Sequence, residues 1–143
     1  MGAGRVVTIF IGQALAGKPL TVVGDGSQTR CFTYQSDAIK ATVAAGLLPE
    51  AVGGVFNVGN DVEVSVRTLA ERIIRASGSS SSIALVAPET VYGTSYEDIS
   101  RRVPDIHRME EILHVMSRVT LDEGLQHTID YFRAKVAAPA GHG

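Results

Sequence analysis

Tryptophan is absent from this chain, and cysteine occurs once, at Cys31. One cysteine excludes an intrachain disulfide and a cysteine zinc cluster. Set between Arg30 and Phe32, Cys31 reads as a small buried hydrophobe. No apolar run is long enough to cross a bilayer. The opening Met-Gly-Ala-Gly-Arg lacks the basic and apolar regions of a secretory signal. Myristoylation asks for Ser or Thr at the sixth residue, where Val6 stands. The expected compartment is therefore the cytoplasm. A formal net charge of -2 gives no electrostatic reason to expect nucleic acid or an anionic membrane as partner. His107, His114, His127 and His142 show no metal-ligand spacing and no carboxylate orienter at a fixed offset, so they read as surface residues. No Gly-x-Gly-x-x-Gly or Gly-x-x-Gly-x-x-Gly loop joins a strand to a helix, so the dinucleotide fingerprint is missing. No internal repeat or linker divides the chain.

What is present is a one-domain length of 143 residues, enough to bury a core. Val6, Val7, Phe10, Ala14 and Leu15 share one helical face over residues 5–16, ended by Gly17 and Pro19. Leu20 to Val23 reads as a strand, Gly24-Asp25-Gly26-Ser27 as its turn, and Arg30 to Tyr34 as the strand returning in a hairpin. Ser36 or Asp37 then caps a helix carrying Ala38, Ile39, Ala41, Ala44, Ala45 and Leu48. Val55-Phe56-Asn57-Val58 and residues 83–87 read as buried strands. Ser65 caps a helix with Val66, Leu69, Ala70, Ile73 and Ile74 inward, and residues 79–82 form a solvated serine loop. Residues 88–100 read as irregular. Asp105 caps a helix bearing Ile106, Met109, Ile112 and Leu113. Thr120-Leu121-Asp122-Glu123 fits a capping box for a helix lined by Leu121, Leu125, Ile129 and Phe132. Residues 1–136 thus form the folded unit and 137–143 a disordered tail. Alternation of strands and helices indicates an α/β fold.

Gly24 to Asp37 is the stretch with most chemical promise. Arg30 offers a fixed fork of donors suited to phosphate oxygens and keeps its charge near neutral pH, beside Gly24 and Gly26, which would let a ligand approach the backbone. The alternative is a strand arginine paired with Asp25 or another carboxylate. Arg101-Arg102 ahead of Pro104 suits one phosphate contact and one structural salt bridge, or else a solvated basic pair. Arg5 stands where it can reach an anion, although a surface role is the simpler one. Tyr34 and Tyr96 suit a sugar or a base, or half-buried packing.

Several segments carry a family resemblance. Arg5 to Ile11, Gln13-Ala14-Leu15, Gly17 to Val22 and Gly24 to Arg30 resemble extended short-chain dehydrogenases where their substrate-binding region begins, UDP-glucuronate decarboxylases in particular. Val55 to Asn60 is similar to the family's late Rossmann strand and turn. Arg102 to Ile106, Leu121 to Leu125 and Thr128-Ile129 resemble its C-terminal signature. Departures are Ile9 for a usual Asn, Val23 for a usual Tyr, Gln35 for a usual Val, and His114 to Ser117 for Gly-Trp-x-Pro. Tyr96 to Arg102 looks more like general epimerase and dehydratase members, so the reaction and the sugar stay open.

The resemblance implies the C-terminal substrate-binding part of an extended Rossmann-type fold, without the N-terminal dinucleotide-binding part. It implies an NAD-dependent epimerase, dehydratase or decarboxylase of nucleoside-diphosphate sugars. Arg30 and Arg102 would contact the diphosphate, Leu20, Thr21 and Val22 would lie along the base, and Thr8 and Gln28 would add contacts. No catalytic residue is expected here, because the family's Tyr-x-x-x-Lys and cofactor loop belong to the other half. Tyr131 and Lys135 match that spacing by coincidence, late in a terminal helix. The chain alone is expected to bind no NAD, turn over no sugar nucleotide and self-associate through the exposed edges of 55–58 and 83–87. Two other roles stay open: a non-catalytic nucleotide-sugar binding module, and a truncated structural or interaction domain.

Overall fold

The computed structural model describes residues 6–92 and 99–137. Arg5, Tyr96, His142 and nearly all of the expected tail lie outside them. The elements run α1 (Val6–Leu15), β1 (Leu20–Val23), β2 (Thr29–Cys31), α2 (Gln35–Leu47), a 3-10 turn at Pro49–Ala51, β3 (Glu63–Ser65), α3 (Val66–Ser77), β4 (Ile83–Val86), α4 (Pro88–Tyr92), β5 (Arg101–Arg102), α5 (His107–Leu113) and α6 (Leu121–Ala137).

Two small sheets and two cores organise these elements. β1 pairs in parallel with β4, while β2 lies between antiparallel β3 and parallel β5. The larger core joins α1, β1, α3 and α6 through Phe10, Ile11, Leu20, Val22, Leu69, Ile73, Leu125 and Ile129. Each such side chain, taken fully out of water, contributes roughly 1.5–3 kcal/mol. That tertiary gain lets α1 stay helical despite its β-branched residues. The smaller core sets Ala41 of α2 and Ala51 against Ile106, Met109 and Leu113 of the α5 region.

Local signals decide several helix ends as the sequence indicates. Ser65 Oγ accepts the Thr68 N–H at 3.1 Å, and Gly78 closes α3 in the left-handed region. Thr120 and Glu123 form the reciprocal capping box: the Thr120 N–H donates to Glu123 Oε2 at 2.9 Å, and the Glu123 N–H to Thr120 Oγ1 at 3.3 Å.

Five expectations are corrected. Leu20–Val23 and Thr29–Cys31 do not form a hairpin. β1 gives its hydrogen bonds to β4, reinforced by Leu20 N–H to Ser82 O and Gly24 N–H to Val86 O, while the Thr21 N–H on β1 takes the Gln13 side chain. Residues 55–58 form no strand, since no described strand pairs with them, and Val55 is exposed. Residues 88–92 are a short helix rather than irregular chain. Neither Ser36 nor Asp37 caps α2. Tyr34 holds that position without a side-chain bond, and Asp37 lies inside the first turn, 2% exposed. Asp105 stands one residue before the α5 cap, Ile106, with its Oδ1 accepting the His107 N–H at 3.0 Å.

Asp37 instead ties the first turn of α2 to the segment just before α6. Its Oδ2 accepts the N–H groups of Arg118 at 2.8 Å and Val119 at 2.9 Å, and its Oδ1 meets Lys40 Nζ at 3.3 Å. The Val119 N–H above all, with those of Arg118 and Lys40, holds this carboxyl below its ordinary value against the opposing effect of burial.

Candidate functional site

The three-stranded sheet gathers the basic residues. Residues alternate between faces along a strand, and in-register neighbours share a face. Arg30 on β2 is in register with Arg102 on β5 and with Val64 on β3. Arg30 and Arg102 therefore stand side by side on one face, on strands that lie about 4.8 Å apart. Thr29 and Arg101, also in register, occupy the other face. There Glu63 takes Arg101 through Nε to Oε1 and Oε2, both at 3.1 Å, and Nη2 to Oε1 at 2.6 Å. Thr29 Oγ1 adds a hydrogen bond to Glu63 Oε2 at 2.7 Å. The Arg101 guanidinium, then Thr29, holds the Glu63 carboxyl below its usual value, and Glu63 raises Arg101 in turn.

This division settles which member of the Arg101-Arg102 pair is structural: it is Arg101. Arg30 itself donates from Nη1 to the Thr29 carbonyl at 2.7 Å, a bond that fixes the guanidinium near its own strand. Asp25 accepts the Ser27 N–H at 2.8 Å, and the side-chain and backbone bonds of Ser27 lower its carboxyl. Like charges directly opposite on neighbouring strands repel, and an anion set between them would relieve that repulsion.

The remaining predicted site residues do not converge on this face. Leu20 and Val22 are fully buried in the core, so their side chains line no ligand surface. Thr21 is exposed, but its hydroxyl accepts from Gln13 Nε2 at 2.8 Å. Gln28 Nε2 donates to the Val23 carbonyl at 3.1 Å and braces the turn between β1 and β2. Thr8 lines a separate cleft of about 920 Å3, bounded by α1, residues 31–35 and α6. Gly26, with φ of 77°, serves packing rather than ligand approach, since a Cβ there would fall 2.7 Å from Val22 Cγ1 and 3.0 Å from Arg67 Cβ.

The cleft also holds Tyr34, Cys31 and His127. Tyr34 lies 5.7 Å from the His127 ring, centroid to centroid, and against Gly124, where a Cβ would meet Tyr34 Cδ2 at 3.1 Å. Tyr34 is thus a packing residue of α2 against α6. Cys31 lies on the same wall, and burial, then the carboxylates of Glu63 and Asp61, push its thiol up, away from reactivity. His107 does have a carboxylate at fixed offset, since Nε2 lies 3.0 Å from Glu111 Oε1 one helical turn on. Lys135 Nζ rests 5.2 Å from the Tyr131 ring centre, so this pair makes a surface cation–π contact. Among the described residues, no cluster of His, Cys, Asp and Glu is set to hold a metal, and no helix is long and apolar enough to cross a membrane.

The glycine turn after β1 leads into β2 and not into a helix N-terminus that could take a pyrophosphate.

Comparison with known proteins places this α/β arrangement and its basic strand pair beside larger proteins. Residues 2–59 match the NAD dependent epimerase/dehydratase family. A UDP-N-acetyl-alpha-D-glucosaminuronate decarboxylase of Bacillus cytotoxicus is 43% identical over 129 residues, covering 90% of this chain and 40% of that protein. UDP-glucuronic acid decarboxylase 1 of Xenopus tropicalis is 39% identical over 142 residues, covering 99% of this chain and 32% of its relative. A UDP-glucose 4-epimerase of Thermotoga maritima, solved with UDP-glucose, superposes with a TM-score of 0.83 at 26% identity, over 94% of this chain and 41% of that one. A UDP-glucuronic acid 4-epimerase of Bacillus cereus, solved with UDP-glucuronic acid and NAD, gives 0.81 at 30% identity, over 92% and 40%.

The fold is thus part of the Rossmann-like epimerase architecture. Residues 2–59 thus match the NAD dependent epimerase/dehydratase family, and nearly the whole chain is similar to nucleotide-sugar decarboxylases and epimerases of the extended short-chain dehydrogenase kind. It spans about two fifths or less of the length of these relatives.

Proposed function

We propose that this chain is the nucleotide-sugar-binding portion of an NAD-dependent enzyme that decarboxylates, epimerises or dehydrates a UDP-sugar. The observation that carries the reading is the in-register placement of Arg30 and Arg102 on one sheet face, with Arg101 turned to Glu63 on the other. Two adjacent guanidiniums present paired donors to two linked phosphates, a stronger arrangement than either alone. Supporting it, the Thermotoga maritima and Bacillus cereus proteins were solved with UDP-sugars. The chemistry of this portion is positioning. The dinucleotide and the proton-transfer groups are supplied from elsewhere in a family-length polypeptide, so the chain alone holds a diphosphate but neither binds NAD nor turns over substrate.

Calorimetric titration with UDP and UDP-glucuronate tests the reading. We expect binding that weakens at least about tenfold in Arg30→Ala and in Arg102→Ala, the loss of one charge-assisted hydrogen bond. Arg101→Ala should weaken binding less, acting only through the sheet. Equal affinity in all three variants, or micromolar binding of NAD, would overturn the proposal.

A further inference from the structure

The strands of the three-stranded sheet carry three arginines and one carboxylate: Arg30 on β2, Arg101 and Arg102 on β5, and Glu63 on β3. β5, the edge strand, is two residues long. It lies in register with Thr29 and Arg30, so Arg102 faces Arg30 as a like charge on the neighbouring strand. Such a pair is destabilising. The repulsion works to splay β5 and carry Arg102 away from Arg30.

Glu63 opposes that splaying from two strands away. In the register it stands opposite Cys31, whereas Arg101 stands opposite Thr29. The Glu63–Arg101 ion pair therefore crosses two strand spacings, about 9.6 Å, and two residues along the strands, about 6.7 Å. Meeting over that span takes two long side chains. Both Glu63 oxygens accept the Arg101 Nε–H at 3.1 Å, and Oε1 also accepts from Nη2 at 2.6 Å. Thr29 Oγ1, on the strand between, donates to Oε2 at 2.7 Å. One carboxylate thus fastens all three strands, on the face away from Arg30 and Arg102.

We infer that Glu63 is a positioning residue: with Thr29 and Arg101 it straps β5 to β2, and so keeps Arg102 beside Arg30. Its effect on binding rests on that pair being the diphosphate contact, whereas its effect on the strand does not. A strap and a bare charge act with opposite signs. A carboxylate felt only through its charge weakens anion binding at nearby arginines, so its removal would tighten binding. Removing a strap frees Arg102 and weakens binding.

Calorimetric titration of the 143-residue chain with UDP, together with amide hydrogen exchange at Thr29, tests the strap. Glu63→Gln should weaken UDP binding by about three- to fivefold, the size of a well-formed exposed ion pair, although it removes a negative charge. Arg101→Gln should do the same, with the double variant no worse than either single one. With Arg102→Ala already in place, Glu63→Gln should have no further effect. The Thr29 N–H, which donates to Ser100 O at 2.9 Å, should exchange faster in Glu63→Gln than in the wild-type chain. Unchanged or tighter UDP binding in Glu63→Gln overturns the inference, and so does unchanged exchange at Thr29. An equal loss in the Arg102→Ala background also overturns it, because that is what general loosening of the fold would give. Should the wild-type chain bind no UDP, the diphosphate reading fails, and exchange at Thr29 alone decides the strap.

Discussion

Helices α2 and α3 have nearly equal length and opposite economies of surface. α3 buries Val66, Leu69, Ala70 and Ile73 along one stripe. Its other side is charged, with Arg67 paired to Glu71 at 3.5 Å and Arg72 to Asp122 at 3.2 Å. Both its ends are closed, by Ser65 and by Gly78. α2 has no side-chain cap, little charge and an uncovered apolar side. Its fixed point is a single buried carboxylate, Asp37, bonded to the backbone of Arg118 and Val119 just before α6. α3 is closed off within the described residues, whereas α2 leaves one apolar side exposed there.

The widest gap between the two helices should appear on truncating their apolar residues. Ile73→Ala removes a fully buried side chain from α3 and should cost about 2–5 kcal/mol in denaturant unfolding. Leu47→Ala on α2 should stay within roughly 0.5 kcal/mol, since its side chain is already wet. A large cost at Leu47 would show that α2 is covered within the chain or by a second copy.

Asp37→Asn comes next. It weakens the acceptor for two backbone donors and should cost about 1–3 kcal/mol. The acid limb of stability tests it separately. The folded carboxyl lies below its ordinary value of 3.8. Its contribution is therefore fully present above the unfolded value and is lost as pH falls through the folded one. In the Asn variant that acid loss should flatten, and an unchanged acid limb would mean that other carboxylates dominate it.

Ser65→Ala should have the smallest effect, about 1 kcal/mol, by removing the α3 cap. The change should leave α2 untouched. Exchange rates along residues 35–47 that rise together with those of α3 would show the two helices unfolding as one unit instead of two.

What could be read from the sequence followed the range of the interaction that decides it. The Ser65 cap and the Thr120–Glu123 box were legible because both partners lie within one turn. The faces of α1, α3 and α6 were legible from spacing alone, although Ile11, fully buried, was missed beside Phe10. Asp37 was misread as a cap because its donors, Arg118 and Val119, lie far along the chain. The hairpin failed for the same reason: after Gly26 the chain leaves β1 for partners at Glu63–Ser65 and Arg101–Arg102. Within the candidate site, Arg30 and Arg102 were named by resemblance, but their adjacency needed β5, a strand of two residues that no periodicity reveals. Glu63 left no sequence signal as the partner that holds Arg101 on the face opposite Arg30 and Arg102.

The brevity of β5 has a kinetic consequence. Residues 29–30 are held to 100–102 by few hydrogen bonds, among them Thr29 N–H to Ser100 O at 2.9 Å, and both arginines of β5 are exposed. Such a strand opens at a small fraction of the free energy of global unfolding. The face proposed to hold the diphosphate is therefore expected to assemble late, since its halves must close a long loop first. An anion that bridges Arg30 and Arg102 acts as a staple on that loop, so its on-rate reports how often the strand is home.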